Sequence, residues 1–340
     1  MCRKYPKAWS RREFLVAVTL AGSSAVLGQA ISAVAPEPPP ETKRLRLLQS
    51  PSICWAPQYM AEELLQREGF TDVQYVKSKG GEEGERMLSL GQVDISMGFS
   101  ARHVLRIEAG DPTVVLSGLH IGCFELFTTD KVRSIRELKG KSVAVTQLGS
   151  GRHVFFASMM AYVGLDPAKD IRYVTDPAPK SMRLFVDGTI DAFMAFAPEP
   201  QELRAKNIGH VLADSMADKP WSQYFCCLVV ANRQFVQNYP VATKRALRAI
   251  LMANDLTERE PERAARRLLD KGVTDSYKYA LQYFKGSHYG QWSEYDAEDT
   301  LRFYALRLYD AGMIKSPPQR IIAQGADWRF LRELKKEMKG

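Results

Sequence analysis

From residue 45 to residue 231, short β-type runs alternate with longer helix-type runs, and the alternation comes in two successive series. This pattern constrains the fold more than any motif does, because strands joined by helical crossovers lie parallel in a sheet whose faces the helices cover. In the first series residues 45–49, 73–76, 93–97 and 114–119 read as strands, and 57–67, 82–90 and 101–108 as helices. In the second, 124–128, 143–146, 171–174, 192–196 and 211–212 are strand-like. Its helices are a short one at 134–138, one running from the turn at 149–151 to 163, and two at 179–186 and 198–206. The apolar run 226–231 (CCLVVA) reads as a further strand, and beyond it only helices are expected, at 240–257, 261–269, 276–283, 297–310 and 327–338. The expectation is an α/β chain with two open, mostly parallel sheets, each flanked by helices.

Open sheets of this kind bind ligands at the C-terminal ends of their strands, where helix N-termini and loop amides converge. The loops at those ends therefore supply the candidate residues. Ser52, Cys54 and Trp55 follow the first strand, and Trp55 offers a flat apolar face. Lys79, Gly80 and Gly81 follow the second, where the glycines let backbone amides approach a ligand. Phe99 and Ser100 follow the third. In the second series Gly149, Ser150, Gly151 and His153 lead into a helix whose N-terminal dipole and unpaired N–H groups suit an anion. Asp176, Phe196, Glu199 and Trp221 complete the set. Each loop alone reads as caps and turns; five of them at five strand ends read as one ligand cleft.

Enzyme signatures are missing: GxSxG, the phosphate loop GxxxxGK[ST], HExxH and a GxGxxG after a strand do not occur. No catalytic residue, cofactor or metal is expected. The five histidines have no metal spacing, there is no CxxC, and Cys54, Cys123, Cys226 and Cys227 read as small buried hydrophobes. The formal charge of +8 does not mark a nucleic-acid partner, because half of it (five basic residues against Glu13) lies within residues 1–35. The remaining +4 is spread over about 300 residues without a basic block.

Residues 1–35 have a basic start, an apolar stretch at 14–28 and small residues ending at Ala30 and Ala33, the layout of a cleavable signal peptide. The stretch is shorter than the roughly 20 apolar residues a spanning helix needs. Ser10-Arg11-Arg12-Glu13-Phe14-Leu15 resembles the twin-arginine consensus, which implies export through the twin-arginine translocase. Residues 36–42, rich in proline, read as an extended linker. A soluble periplasmic protein is expected after cleavage.

Four segments carry a family resemblance. Trp55-Ala56-Pro57-Gln58-Tyr59-Met60-Ala61 is similar to the start of the first helix in periplasmic substrate-binding proteins of the nitrate/sulfonate/taurine class, which serve ATP-binding-cassette importers. Gly81-Glu82-Glu83-Gly84 through Ile95, Ser134 through Val145, and Asp187-Gly188-Thr189-Ile190-Asp191-Ala192 resemble further segments of the same family. The resemblance implies a two-lobed periplasmic binding protein fold of type II, hinged by two crossing segments near 119–123 and 226–230. Lobe one would hold 43–121 and 227–340, and lobe two 122–226. It also implies a monomer that closes on a small organic anion and delivers it to a permease with a cytoplasmic ATPase. The bulk of Cys54 and Trp55 in the first loop argues against an ion as small as nitrate. A taurine-like or alkyl sulfonate is the first expectation and an aromatic acid the second. The competing readings are an enzyme resembling the pyrimidine synthases of thiamine biosynthesis, of whose cysteine-rich run Cys226-Cys227 is a faint echo, a precursor-binding protein, and a periplasmic sensor.

Overall fold

The computed structural model describes residues 37–338. The signal peptide expected at 1–35 lies outside them. Two five-stranded sheets organise residues 39–338. The first is built from β1 (Arg44–Gln49), β2 (Asp72–Lys77), β3 (Ile95–Phe99), β4 (Thr113–Ile121) and β10 (Phe225–Asn232), in the order β2-β1-β3-β10-β4. The second uses β5 (Phe124–Thr128), β6 (Ser142–Val145), β7 (Arg172–Thr175), β8 (Ala192–Phe196) and β9 (His210–Asp214), in the order β7-β6-β8-β5-β9. The two orders are the same topology written twice.

Each sheet has four strands in one direction and one reversed. β10 runs antiparallel to β3 and β4, and β5 antiparallel to β8 and β9. The reason is the crossing. β4 leads through residues 122–123 straight into β5, and β9 leads back to β10 through a 3-10 turn alone, so these two strands enter their sheets from the opposite end to the strands fed by helices. Gly122 makes the first crossing at a φ of 67°, and a Cβ there would lie 2.8 Å from the Met216 backbone. Glycine is the residue that fits both demands.

Burial explains the apolar runs. Every residue of β4 and of β10 is buried, because helices cover both faces. Of the C-terminal helices, Pro240–Arg259 and Pro261–Asp270 pack on the helix Ala56–Met60, and Ala297–Asp310 packs on both Ser100–Glu108 of the first half and Gly151–Tyr162 of the second. One face of the second sheet has its own smaller core of Phe127, Ala144, Phe185, Phe193 and Leu203. The segment expected as one helix at 57–67 is two, Ala56–Met60 and Glu62–Arg67, and 134–138 holds a 3-10 turn. The helices Arg233–Asn238 and Pro318–Gly325 were not expected. In the proline-rich segment Glu41 accepts from the Val241 and Ala242 amides at 2.9 and 2.8 Å, capping the helix that starts at Pro240.

Candidate functional site

The strand ends of both sheets face one cavity of about 580 Å³. Of the residues singled out from the sequence, Ser52, Cys54, Trp55, Lys79, Gly80, Gly81 and Phe99 wall it from the first lobe, and Ser150, Gly151 and Phe196 from the second. Trp55 stands at the end of a 3-10 turn (Ile53–Trp55) that the Tyr289 hydroxyl holds by donating to the Cys54 carbonyl at 3.1 Å. Phe99 and Phe124 meet edge to face at 5.0 Å, and Phe196 lies 5.5 Å from Phe124, so rings from both lobes form one apolar wall. Ring pairs in this geometry add about 0.5–1.5 kcal/mol beyond their buried area.

The other expected residues do not line the cavity. Ser100 is fully buried and donates to the Phe225 and Cys226 carbonyls at 2.7 and 3.0 Å, tying β10 to the helix Ser100–Glu108. His153 takes up the start of the helix Gly151–Tyr162: its Nδ1 accepts from the Gly149 amide at 3.0 Å, while its own amide donates to Ser150 Oγ at 3.3 Å. Two of the loop's N–H groups are thereby satisfied internally, and a third, that of Ser150, donates to the Gln147 carbonyl at 3.2 Å. Asp176 pairs with Lys180 on the following turn at 2.9 Å. Trp221 is packed among Phe155, Tyr162 and Phe303. Glu199 is the partner of Arg152.

Two arginines dominate the electrostatics. Arg102 makes a two-point contact with Glu85 in its own lobe, with Nε to Oε1 at 2.9 Å, and its Nη1 donates across the cleft to the Gly149 carbonyl. Arg152 makes a two-point contact with Glu199 at 2.5 and 2.8 Å and donates to the Met194 carbonyl at 2.7 Å, all inside lobe two. Burial pushes the Glu85 carboxyl up and Arg102 opposes that shift. The wall carries Lys79, Arg102 and Arg152 against Glu82, Glu83 and Glu85, three charges of each sign, so it is not a simple anion trap. Burial holds His103, also in the wall, down to about 4, so it is neutral.

Sulfur lines the same cavity. Cys54, Cys123 and Cys227 all reach it, and Cys227 Sγ lies 4.0 Å from Cys54 Sγ and 3.8 Å from Cys123 Sγ. Burial pushes the thiols of Cys54, Cys123 and Cys226 up, whereas hydrogen bonds from the neighbouring thiols favour the thiolate at Cys227. Glu85, Arg102 and His103 also line the cavity, as do Phe124, Cys123 and Cys227, although the loop pattern does not mark them. The one usable signal was position: Arg102 and His103 fall in the first turn after β3, where such sheets present ligands.

The NMT1-like family model matches residues 38–269. The alkanesulfonate-binding protein of Xanthomonas axonopodis, solved bound to MOPS, superposes with a TM-score of 0.66 at 17% identity, covering 85% of this chain and 99% of that one. The periplasmic nitrate-binding protein of Synechocystis superposes at 0.71 with 14% identity, over 89% of this chain and 90% of that one. The bicarbonate-binding protein of Synechococcus elongatus is 27% identical over 101 residues, which are 30% of this chain and 22% of that protein. The match thus spans about a fifth of the length of that curated relative. A Candida albicans protein described as having the generic periplasmic binding protein fold superposes at 0.64 with 16% identity, over 84% of this chain and 96% of that one. From a family match over most of the described chain and superpositions on these structures at TM-scores of 0.64 to 0.71, it follows that the protein belongs to the NMT1-like family and has the periplasmic binding protein fold.

Proposed function

We propose that the protein is the solute-binding component of an ATP-binding-cassette importer, exported through the twin-arginine pathway to the periplasm, where it captures a small organic anion between its lobes. The observation that carries this reading is the cavity itself, walled by loop tips from both sheets and bridged by Arg102. A ligand touching both lobes binds the closed form better than the open one and shifts the population toward it, and a permease can read that change. The amides of Gly151 and Arg152 at a helix start, with that of Gly81 opposite, would hold the anionic head. Trp55, Phe99, Phe124 and Phe196 would hold an apolar or aromatic body.

A volume of about 580 Å³ exceeds what nitrate or bicarbonate fills, and the balanced wall charges give a bare ion no strong field. An alkyl or taurine-like sulfonate is the first ligand class and an aromatic acid the second. The test is a thermal-shift and calorimetric screen of the purified mature chain against alkyl sulfonates, taurine, aromatic carboxylates, nitrate, bicarbonate and pyrimidines. A true ligand at 100 times its Kd stabilises by about 2.7 kcal/mol. Response to nitrate or bicarbonate alone would overturn the ligand class. Turnover to a pyrimidine product would overturn the transport reading.

A further inference from the structure

We propose that Cys54, Cys123, Cys227 and His120 form a binding site for a thiophilic metal ion, zinc(II) being the ion it fits best. The three sulfurs and an imidazole nitrogen lie within 4.8 Å of one another, and all four residues are buried. The S···S separations of 4.0 and 3.8 Å are far too long for a disulfide, whose sulfurs are about 2.05 Å apart. They match the edge of a tetrahedron with metal–sulfur bonds of about 2.3 Å, which is about 3.8 Å.

The histidine supplies the independent observation. His120 is 1% exposed, and its Nδ1 lies 3.1 Å from the Ile121 carbonyl. A carbonyl only accepts, so Nδ1 donates, and in the neutral ring Nε2 is the nitrogen that presents a lone pair. Among the described residues Nε2 has no hydrogen-bond partner, as is also true of His103 Nε2, and a buried polar atom usually has one. A backbone carbonyl that orients the ring while the other nitrogen stays free is the usual support of a metal-ligating histidine. Packing as small hydrophobes would account for buried cysteines, but it leaves that nitrogen unexplained.

The donor set selects the ion. Three thiolates and one imidazole suit a soft or borderline cation and disfavour magnesium or calcium. The four donors fill a tetrahedron, which is the pattern of a structural site. On binding, each coordinating thiol releases its proton to solvent. The ligands come from the loop after β1, from the end of β4, from the first crossing and from β10, so the ion would pin both crossing segments to the floor of the cleft. This inference does not depend on the ligand class or on the transport role.

The experiment uses the full mature chain, reduced and handled without oxygen, with cobalt(II) as the zinc surrogate. One equivalent should bind with the intense d–d bands of tetrahedral cobalt and a thiolate-to-cobalt charge-transfer band, and zinc should displace it. Cys227→Ser should weaken zinc affinity at least 100-fold, His120→Gln at least tenfold, and Cys226→Ser should leave both bands in place. Circular dichroism checks that each variant is folded, and His120→Gln carries the test if Cys227→Ser is not. Weak octahedral cobalt bands without charge transfer, or bands unchanged in Cys227→Ser and His120→Gln, would overturn the site. So would alkylation and mass mapping that find Cys123 or Cys54 disulfide-bonded to Cys227 in protein taken from the periplasm.

Discussion

The two lobes repeat one topology but handle their buried arginines differently. Both guanidiniums are mostly buried, at 7% and 12% side-chain exposure, and each is neutralised by a carboxylate of its own lobe. Arg152 spends its remaining contact on the Met194 carbonyl within lobe two, whereas Arg102 reaches the Gly149 carbonyl on the other side of the cleft. Neutralising a buried cation and holding the lobes together are therefore separate tasks. Of these two arginines Arg102 combines them, and its bridge lands on the loop before the helix Gly151–Tyr162.

Removing either arginine should have the largest effect. Arg152→Ala strands Glu199 and Arg102→Ala strands Glu85, and a broken buried pair costs about 3–5 kcal/mol, measurable by urea unfolding. Equal losses would agree with the comparison; a cost below about 1 kcal/mol in either would mean that the pair is solvated. Next comes Trp55→Ala, which should weaken ligand binding about tenfold or more while leaving the fold intact, because it removes one cavity face. Gly151→Val tests the opposite wall. A Cβ there would sit 3.5 Å from Phe124 and 3.7 Å from Phe99, ordinary contact distances, so the added methyls should fill the cavity and abolish binding without unfolding lobe two. Normal affinity in either variant would remove that wall from the site.

Replacing each pair by neutral partners sharpens the comparison. Arg152→Met with Glu199→Gln should recover most of the lost stability and leave lobe closure unchanged in small-angle scattering. Arg102→Met with Glu85→Gln should recover stability and still favour the open form, because the bridge to Gly149 is gone. The smallest effect concerns pH. Burial lowers the His153 pKa, and its neutral Nδ1 accepts from Gly149. The stability it contributes is therefore present above the unfolded value of about 6.5 and lost as pH falls through the lower folded value. Wild-type protein should lose slightly more stability between pH 7 and pH 5 than His153→Gln does; parallel profiles would mean that the ring does not titrate in this window.

The strands were legible because burial on both faces demands unbroken apolar runs such as the one in β10, and because most of the runs alternate with helices. Strand-end loops were legible for the same reason, and Trp55, Gly81, Phe99, Gly151 and Phe196 do line the cavity. The surroundings of a residue were not legible where its type serves two purposes. Ser100 and His153 look like ligand contacts, but they tie backbone groups near the wall. Glu199 looks like a lone carboxylate, but it neutralises Arg152.

Periodicity and turn residues are local quantities, and they sufficed to mark the alternating elements and the loops at their ends. Spatial convergence is not local. Cys54, His120, Cys123 and Cys227 are separated by as many as 173 positions, and their spacing along the chain has no meaning for a metal. They come together because two crossings bring β4 and β10 side by side beneath the loop that follows β1. The reach of Arg102 to Gly149 likewise exists only once the lobes face each other, since its partner is a backbone oxygen that any residue could supply.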